Sequence, residues 1–542
     1  MAVHSTKMDL ALAAIHDADL PHPGGELLDC FIRQSVDREQ AAAYLLQKCS
    51  SDRGKAGPAA FLADWTELIL AFISEGVGRV HDRSIVCDIT SRDGAKCCIS
   101  GLDSSLADPL IVVRIFPESP QQLDPPLREM LDAFLSPSLK DVALTAETGN
   151  APENLWLVRK SVAEAFSQGY FILRFQGSKD YRVDINRTGA PTQPPIVNEV
   201  RRLRRGSFTD HSGSGMAVPA HSALQVLGRF SQSIRWVLIG REIAQRTKHT
   251  STKFAFPSSR FLASSCTAIL TAIWRCVPAA FRVAIYRRLA PLGRYLYGPS
   301  CSLHVQRLPF GLYLKRKNLD WHQSLVNEYG ALELVRHHTH VTAPRPLDLV
   351  SGADDSYLLT SAVSGYHIGL CIDIMSDAEL ADVARDLQAS LVEIRSIPKI
   401  VAPTFEITNA VGGACYDHRI SAGAVYDEAR GDFFGPFENE DDFNNILRCG
   451  ALPEVVHRGG HRVVFTHGDL NMRNIMVKDG KLSGIVDWEN SGWYPEHWDY
   501  TKAHFITKRH WRWLRMVDKV SEELGSYEDE LATERKLWEY CF

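Results

Sequence analysis

The chain has 542 residues, more than a single hydrophobic core usually serves, so more than one domain is expected. Hydrophobic residues at 45% and charged residues at 23% are the proportions of a globular protein, and a formal net charge of -5 argues against nucleic acid as a general partner. Twelve cysteines scattered without a C-x-x-C pair fit neither a disulfide framework nor a cysteine zinc site, which implies reduced thiols and a cytoplasmic setting, with the nucleus as the alternative.

At the N-terminus, MAVHSTKMDLALAAIHDADL breaks with charges and histidines the apolar run a signal peptide needs, so secretion is not expected. Ala59 to Ile73 has apolar positions at helical spacing. Farther on, SRDGAKCCISG (Ser91 to Gly101) precedes the apolar run Leu110 to Phe116, and NLWLVRKSVAEAFSQGYFIL follows from Asn154. This pairing, over about 85–180, resembles the HNH-endonuclease-like segment of fungal proteins, in which a strand ends in His-Ile-x-Pro and a later helix carries a second histidine. Arg114 and Ala163 stand at those two positions. Neither can activate water or hold an ion, so the resemblance implies a degenerate packing domain rather than a nuclease. Residues 189–214, around Arg201, Arg202, Arg204 and Arg205, read as a polar surface loop. A boundary near Phe261 then separates an α/β N-terminal domain, 1–260, from a second domain, 261–542.

The apolar run Leu262 to Trp274 is shorter than the ~20 residues a spanning helix requires, so no transmembrane segment is expected. Pro278 to Tyr297 reads as a basic, aromatic-rich helix. LHVQRLPFGLYLKRK alternates inward and outward residues, turns at Pro309 to Gly311 and ends near Lys315. A helix from Ser324 to His337 places Leu325, Tyr329, Leu332 and Val335 near one face, with Glu328 beside it and Glu333 as a rival acid. Tyr357 to Val363 reads as a strand. Ser376 and Glu379 form a capping box ahead of the stripe Leu380, Val383, Leu387, Leu391 and Ile394. Pro403 to His461 is a long insertion whose acids Glu438, Glu440, Asp441 and Asp442 read as a solvated helix start that compensates the dipole, with attraction of a cationic acceptor as the alternative.

The densest chemistry lies between Val463 and Phe505. Apolar Val463 to Phe465 leads into His467-Gly468-Asp469, and Asp479-Gly480 marks a turn between Ile475 to Val477 and Gly484 to Val486. Asp469, Asn474 and Asp487 thereby converge. Magnesium takes one or two carboxylates together with phosphate oxygens, which Asn474 and Asp487 can satisfy while Asp469 stays free to accept the proton of an attacking hydroxyl. The Asp469-to-Asn474 spacing equals that of the kinase loop H-R-D-x-x-x-x-N, and Asp487 falls where D-F-G would.

HGDLNMRN followed by GIVDWENSGWYPEHWDY resembles the aminoglycoside phosphotransferase and choline kinase family, in its fungal branch. The resemblance implies an α+β, two-lobed protein-kinase-like fold, with a small lobe at about 295–363 and a large lobe at about 364–542. It implies Asp469 as catalytic base, Asn474 and Asp487 as magnesium ligands, and His467 and Asp499 as braces of the loop. Lys315 would hold the ATP phosphates, oriented by Glu328. The backbone at Thr360, Ser361 and Ala362 would meet adenine, and Ser302, in GPSCS, would lie in the phosphate loop. The implied activity is ATP- and magnesium-dependent transfer of a phosphoryl group to a hydroxyl of a small molecule. A nucleotide-binding pseudoenzyme or scaffold is one rival. A protein kinase is the other, disfavoured by HGD, by D-W-E and by the missing A-P-E.

Overall fold

The computed structural model describes all residues except 1–5, 51–56, 74–77, 117–122, 146–150, 178, 187, 189–192, 204, 250–270, 299–301, 303, 418, 420–431, 449–453, 508–509 and 542. They divide into two units, Met1–Thr252 and Lys253–Phe542, and Phe261 lies outside the described residues. Among the described residues, no helix is long and apolar enough to cross a membrane.

In the first unit the helices Gly24–Gln34, Gly57–Ala71, Pro125–Phe134 and His221–His249 supply a core of aromatic rings. Trp65 lies 5.0 Å from Phe31 and 4.8 Å from Phe134, whose ring is 4.9 Å from Phe230. The expected α/β arrangement needs correcting, because the strand pairs described here are antiparallel. Leu110–Arg114 pairs with Leu155–Arg159, while Phe171–Phe175, Asp180–Ile185 and Arg205–Ser207 form a separate sheet. Residues 176–179 are too few for the crossover that a parallel pair requires. Arg114 ends its strand, Ala163 is buried in the helix Lys160–Ser167, and both line one small cavity.

The polar loop expected at 189–214 is also corrected in part. It contains the helix Ile196–Arg202, which buries Ile196, Val197 and Val200, and the strand Arg205–Ser207. Arg201 and Arg202 occupy the last turn of that helix, where cations suit the dipole.

In the second unit, Val305–Leu308, Leu312–Asn318, Asp355–Ser361 and Pro346–Ser351 lie side by side in that order as an antiparallel sheet. Alternation sends Leu314, Tyr357 and Leu359 to one face, where Val283 and Tyr286 of the helix Ala279–Tyr297 cover them. Lys315 and Lys317 point to the other face. That outer helix is the basic, aromatic-rich one expected at Pro278 to Tyr297. Its Gly293 approaches the sheet so closely that an added Cβ would stand 2.3 Å from the carbonyl oxygen of Arg307.

The large lobe is built on the helix Asp377–Arg395, started by the Ser376–Glu379 capping box, whose expected stripe is buried throughout. It packs with Phe465, Trp488, Trp493 and the helix Trp511–Ser521. Strands Ile475–Lys478 and Lys481–Ile485 form the expected hairpin, and Asp479 and Gly480 both take positive φ, 52° and 74°, as a tight two-residue turn demands. Val463–Thr466 pairs instead with Gly492–Pro495, which also carries Thr408–Asn409 from the insertion. The loop between these two small sheets holds the site.

Candidate active site

The loop after Val463–Thr466 is pinned from behind. Asp499, in the helix Trp498–Ile506, accepts the backbone N–H groups of His467 and Gly468 at 3.1 and 2.8 Å. The fully buried His467 donates from Nε2 to the carbonyl of Val486 at 3.0 Å and accepts the Asp469 N–H at Nδ1, 3.2 Å away. One neutral tautomer satisfies both bonds, and burial holds this imidazole below its ordinary pKa. Gly468, at φ 78°, cannot be replaced without displacing the carbonyl of Asn490, which lies 2.1 Å from where a Cβ would sit.

Asp469 receives two amides on one oxygen: Asn471 and Asn474 each donate to Oδ2 at 3.0 Å. Oδ1 is buried with no hydrogen-bond partner among the described residues, and the Lys502 ammonium stands 3.8 Å from it. Burial pushes the carboxyl up to about 7; Lys502 opposes that rise and the nearby Asp487 and Asp417 add to it. Lys502 is itself held by Asp417 at 2.8 Å, and Asp417 also binds Arg419, which lies over the Trp498 ring at 3.7 Å.

Lys315 reaches this site from the sheet. Its Nζ lies 2.8 Å from Glu328, 2.5 Å from Asp487 and 2.7 Å from Glu489. Burial alone would lower the Lys315 pKa, but Asp487, Glu328 and Glu489 together hold it well above its usual value. Glu328 is pushed up to about 7 by burial, because it shares Lys315 with two other acids, whereas Lys315 and Lys317 outweigh burial and hold Glu489 well below the usual carboxylate range. The rival acid, Glu333, instead binds Arg336 at 2.7 Å. Asp487 occupies a left-handed backbone conformation, φ 68°, costing about 1–2 kcal/mol for a residue other than glycine.

The oxygen donors here suit a hard cation. Asn474 spends its amide hydrogens on Asp469, leaving its side-chain oxygen as a ligand. Its backbone carbonyl accepts the N–H of Val486 at 2.9 Å, which keeps Asp487 close by. Ligand atoms of Glu328, Asp487 and Glu489 also lie within 4.8 Å of one another, so the acidic group is wider than Asn474 and Asp487 alone. These residues fit magnesium.

The remaining expected residues lie at the periphery. Thr360 and Ser361 end the strand Asp355–Ser361, and the Ala362 N–H is taken by the carbonyl of Gly311 at 2.8 Å. Ser302 is exposed, and its hydroxyl accepts the N–H of His304 at 3.3 Å; the neighbouring 299–301 lie outside the described residues.

Residues 305–533 match a family model described as the phosphotransferase enzyme family. The matched span contains Lys315, Glu328, Asp469, Asn474 and Asp487. No curated protein matches the chain. Among solved structures, it is similar to aminoglycoside phosphotransferase APH(3'')-Id from Streptomyces rimosus ATCC10970 in complex with ADP and streptomycin, at 18% identity over 47% of this chain and 97% of that one, with a TM-score of 0.32. It is also similar to the gentamicin complex of APH(2")-IIa, at 12% identity over 47% and 84%, TM-score 0.33. A thermostable mutant of APH(4)-Ia in ternary complex with ADP and hygromycin B matches at 12% identity over 46% and 87%, TM-score 0.30.

Sequence reasoning missed Glu489, Lys317, Asn471 and the Lys502–Asp417 pair. Lys317 carried a signal, since two positions along a strand return to the same face. Glu489 stands two residues after Asp487 in a segment read only for its departure from D-F-G. Lys502 and Asp417 meet across 85 positions of chain, and local spacing could not join them.

Proposed function

We propose that the chain is an ATP- and magnesium-dependent phosphotransferase that moves the γ-phosphoryl group to a hydroxyl of a small molecule. The observation that carries this reading is the Asp469 carboxylate, oriented through Oδ2 by two amides and with Oδ1 unpartnered, on the same loop as Asn474 and near the Lys315–Asp487 pair. Asp469 Oδ1 accepts the proton of the attacking hydroxyl, and a carboxyl titrating near 7 is matched to that task. Lys315, oriented by Glu328, binds phosphate oxygens, while Asn474 and Asp487 offer oxygen ligands to magnesium. When bound, the metal neutralises charge on the transferring group. His467 and Asp499 keep the loop in place. Thr360, Ser361 and Ala362 would border the adenine, with the Ser361 and Ala362 N–H groups already taken by the carbonyls of Arg345 and Gly311, and Ser302 would belong to the phosphate loop.

The region fills each of the positions a pseudokinase typically loses, which favours the enzyme over the scaffold. The first unit acts as a packing domain without nuclease chemistry, because Arg114 and Ala163 leave it neither base nor ligand. The deciding experiment incubates the full chain with labelled ATP, magnesium and a fractionated metabolite extract. Label is expected in a small hydroxylated compound; label confined to proteins, or none, would overturn the reading.

A further inference from the structure

The acids at the start of the helix Glu440–Leu447 were expected to form a solvated face. Asn439 does cap that helix, accepting the Asp442 N–H, but Glu440 turns inward and is buried. Its Oε2 is fixed by the N–H groups of Gly460 and His461 at 2.7 and 3.0 Å, and its Oε1 lies 2.5 Å from His461 Nδ1. The ring of His497, 4.6 Å from that of His461, completes the group. One ligand atom from each of Glu440, His461 and His497 lies within 4.8 Å of the other two.

His497 is the telling member. It has no exposed surface, and among the described residues neither Nδ1 nor Nε2 has a hydrogen-bond partner. Buried polar atoms are normally satisfied, so an unpartnered imidazole with one nitrogen close to a carboxylate–imidazole pair calls for a ligand. We propose that Glu440, His461 and His497 form a three-ligand zinc site, its fourth position open to water, separate from the Lys315–Asp487 cluster.

The donor set selects the metal class. Two imidazoles and a carboxylate suit zinc, whereas calcium and magnesium take oxygen alone. Donors at about 2.0–2.2 Å from zinc stand roughly 3.3–3.6 Å apart in a tetrahedron, so Glu440 and His461 need only part slightly and His497 draw in. Burial holds His497 at about 3, which keeps it neutral with a free lone pair. With Nδ1 of His461 on the metal, its Nε2–H points to Glu530, 3.3 Å away, the outer carboxylate that metal-bound histidines commonly use. Metal binding expels the proton shared by His461 and Glu440.

The site would tie the Glu440–Leu447 helix, the segment ahead of Val463–Thr466 and the start of Trp498–Ile506. Two residues beyond His497, Asp499 holds the catalytic loop. The metal therefore anchors that loop from behind and touches no reacting atom.

The test uses the full chain without a polyhistidine tag, stripped with a chelator, equilibrated with zinc chloride and assayed for bound zinc by mass spectrometry. About one zinc per chain is expected in wild type and in Asp487→Ala, falling to less than about 0.2 in His497→Ala and His461→Ala. Should the histidine variants misfold by circular dichroism, the cobalt-loaded wild type decides. Visible d–d absorption without a thiolate charge-transfer band supports the site, and a thiolate band places the metal on cysteine. No zinc in wild type, or full occupancy in both folded histidine variants, would overturn the proposal.

Discussion

The side-chain amide of Asn474 donates both to the backbone carbonyl of Asp469, at 2.8 Å, and to its Oδ2, at 3.0 Å. One residue thus orients the proposed base and keeps its own oxygen for metal. Because the two residues act as a unit, Asp469→Asn should lower kcat by roughly 100- to 10,000-fold, the usual worth of a positioned base, with nucleotide affinity retained. Steady-state kinetics beside nucleotide titration checks this, and near-normal turnover would remove Asp469 from the mechanism.

The raised carboxyl of Asp469 sets a pH dependence. As the proposed base, Asp469 acts in its ionised form, so kcat/KM should climb as pH rises through about 7 and level off above it. Stability should run the other way. Between the ordinary carboxylate range and about 7 the folded state holds a proton the unfolded state has released, so stability falls as pH rises across that interval, and Glu328 adds in the same direction. Asp469→Asn should therefore be more stable than wild type at pH 8, by about 1 kcal/mol or 2–4 °C in thermal midpoint. An equal or lower midpoint would show that the buried charge is compensated.

Magnesium with ATP should stabilise the catalytic unit. At 100 times the dissociation constant the gain is about 2.7 kcal/mol, which raises the midpoint of its transition by roughly 5–10 °C. Differential scanning calorimetry of the full chain resolves that transition. Asp469→Asn should keep the shift and Asp487→Ala should lose most of it. No shift in wild type at millimolar nucleotide and metal would count against the phosphotransferase.

Plasmid DNA should survive incubation of the full chain with magnesium, manganese or zinc. The cavity lined by Arg114 and Ala163 offers no metal ligand at those two positions. Cleavage by pure protein, absent from a heat-denatured control, would mean that another residue supplies the base.

The geometry of the proposed site was legible because its residues are close in sequence: a hairpin with an Asp-Gly turn fixes where Asn474 and Asp487 stand, and the strand–helix pair around Lys315 and Glu328 is read from two periodicities. Glu440 was misread, since a helix start rich in acids looks solvated until His461, from another segment, comes to meet it. The loop expected at 189–214 failed for a related reason. Proline and arginine dominate its composition, while Ile196, Val197 and Val200 decide its structure. Contacts such as Lys502 with Asp417 depend on how the insertion folds back, and no local pattern records that.

Lys317 lies on the same strand face as Lys315, and both ammonium groups stand 2.7 Å from Glu489. The strand therefore carries a second buried cation, which the Ser324 hydroxyl also holds at 2.9 Å. If Lys315 binds phosphate as proposed, a second cation stays on the same face when position 315 loses its charge, and a single replacement removes only part of the positive charge. Mutational tolerance at Lys315 would then measure redundancy rather than irrelevance, and only a chain lacking both lysines would report what the charge is worth.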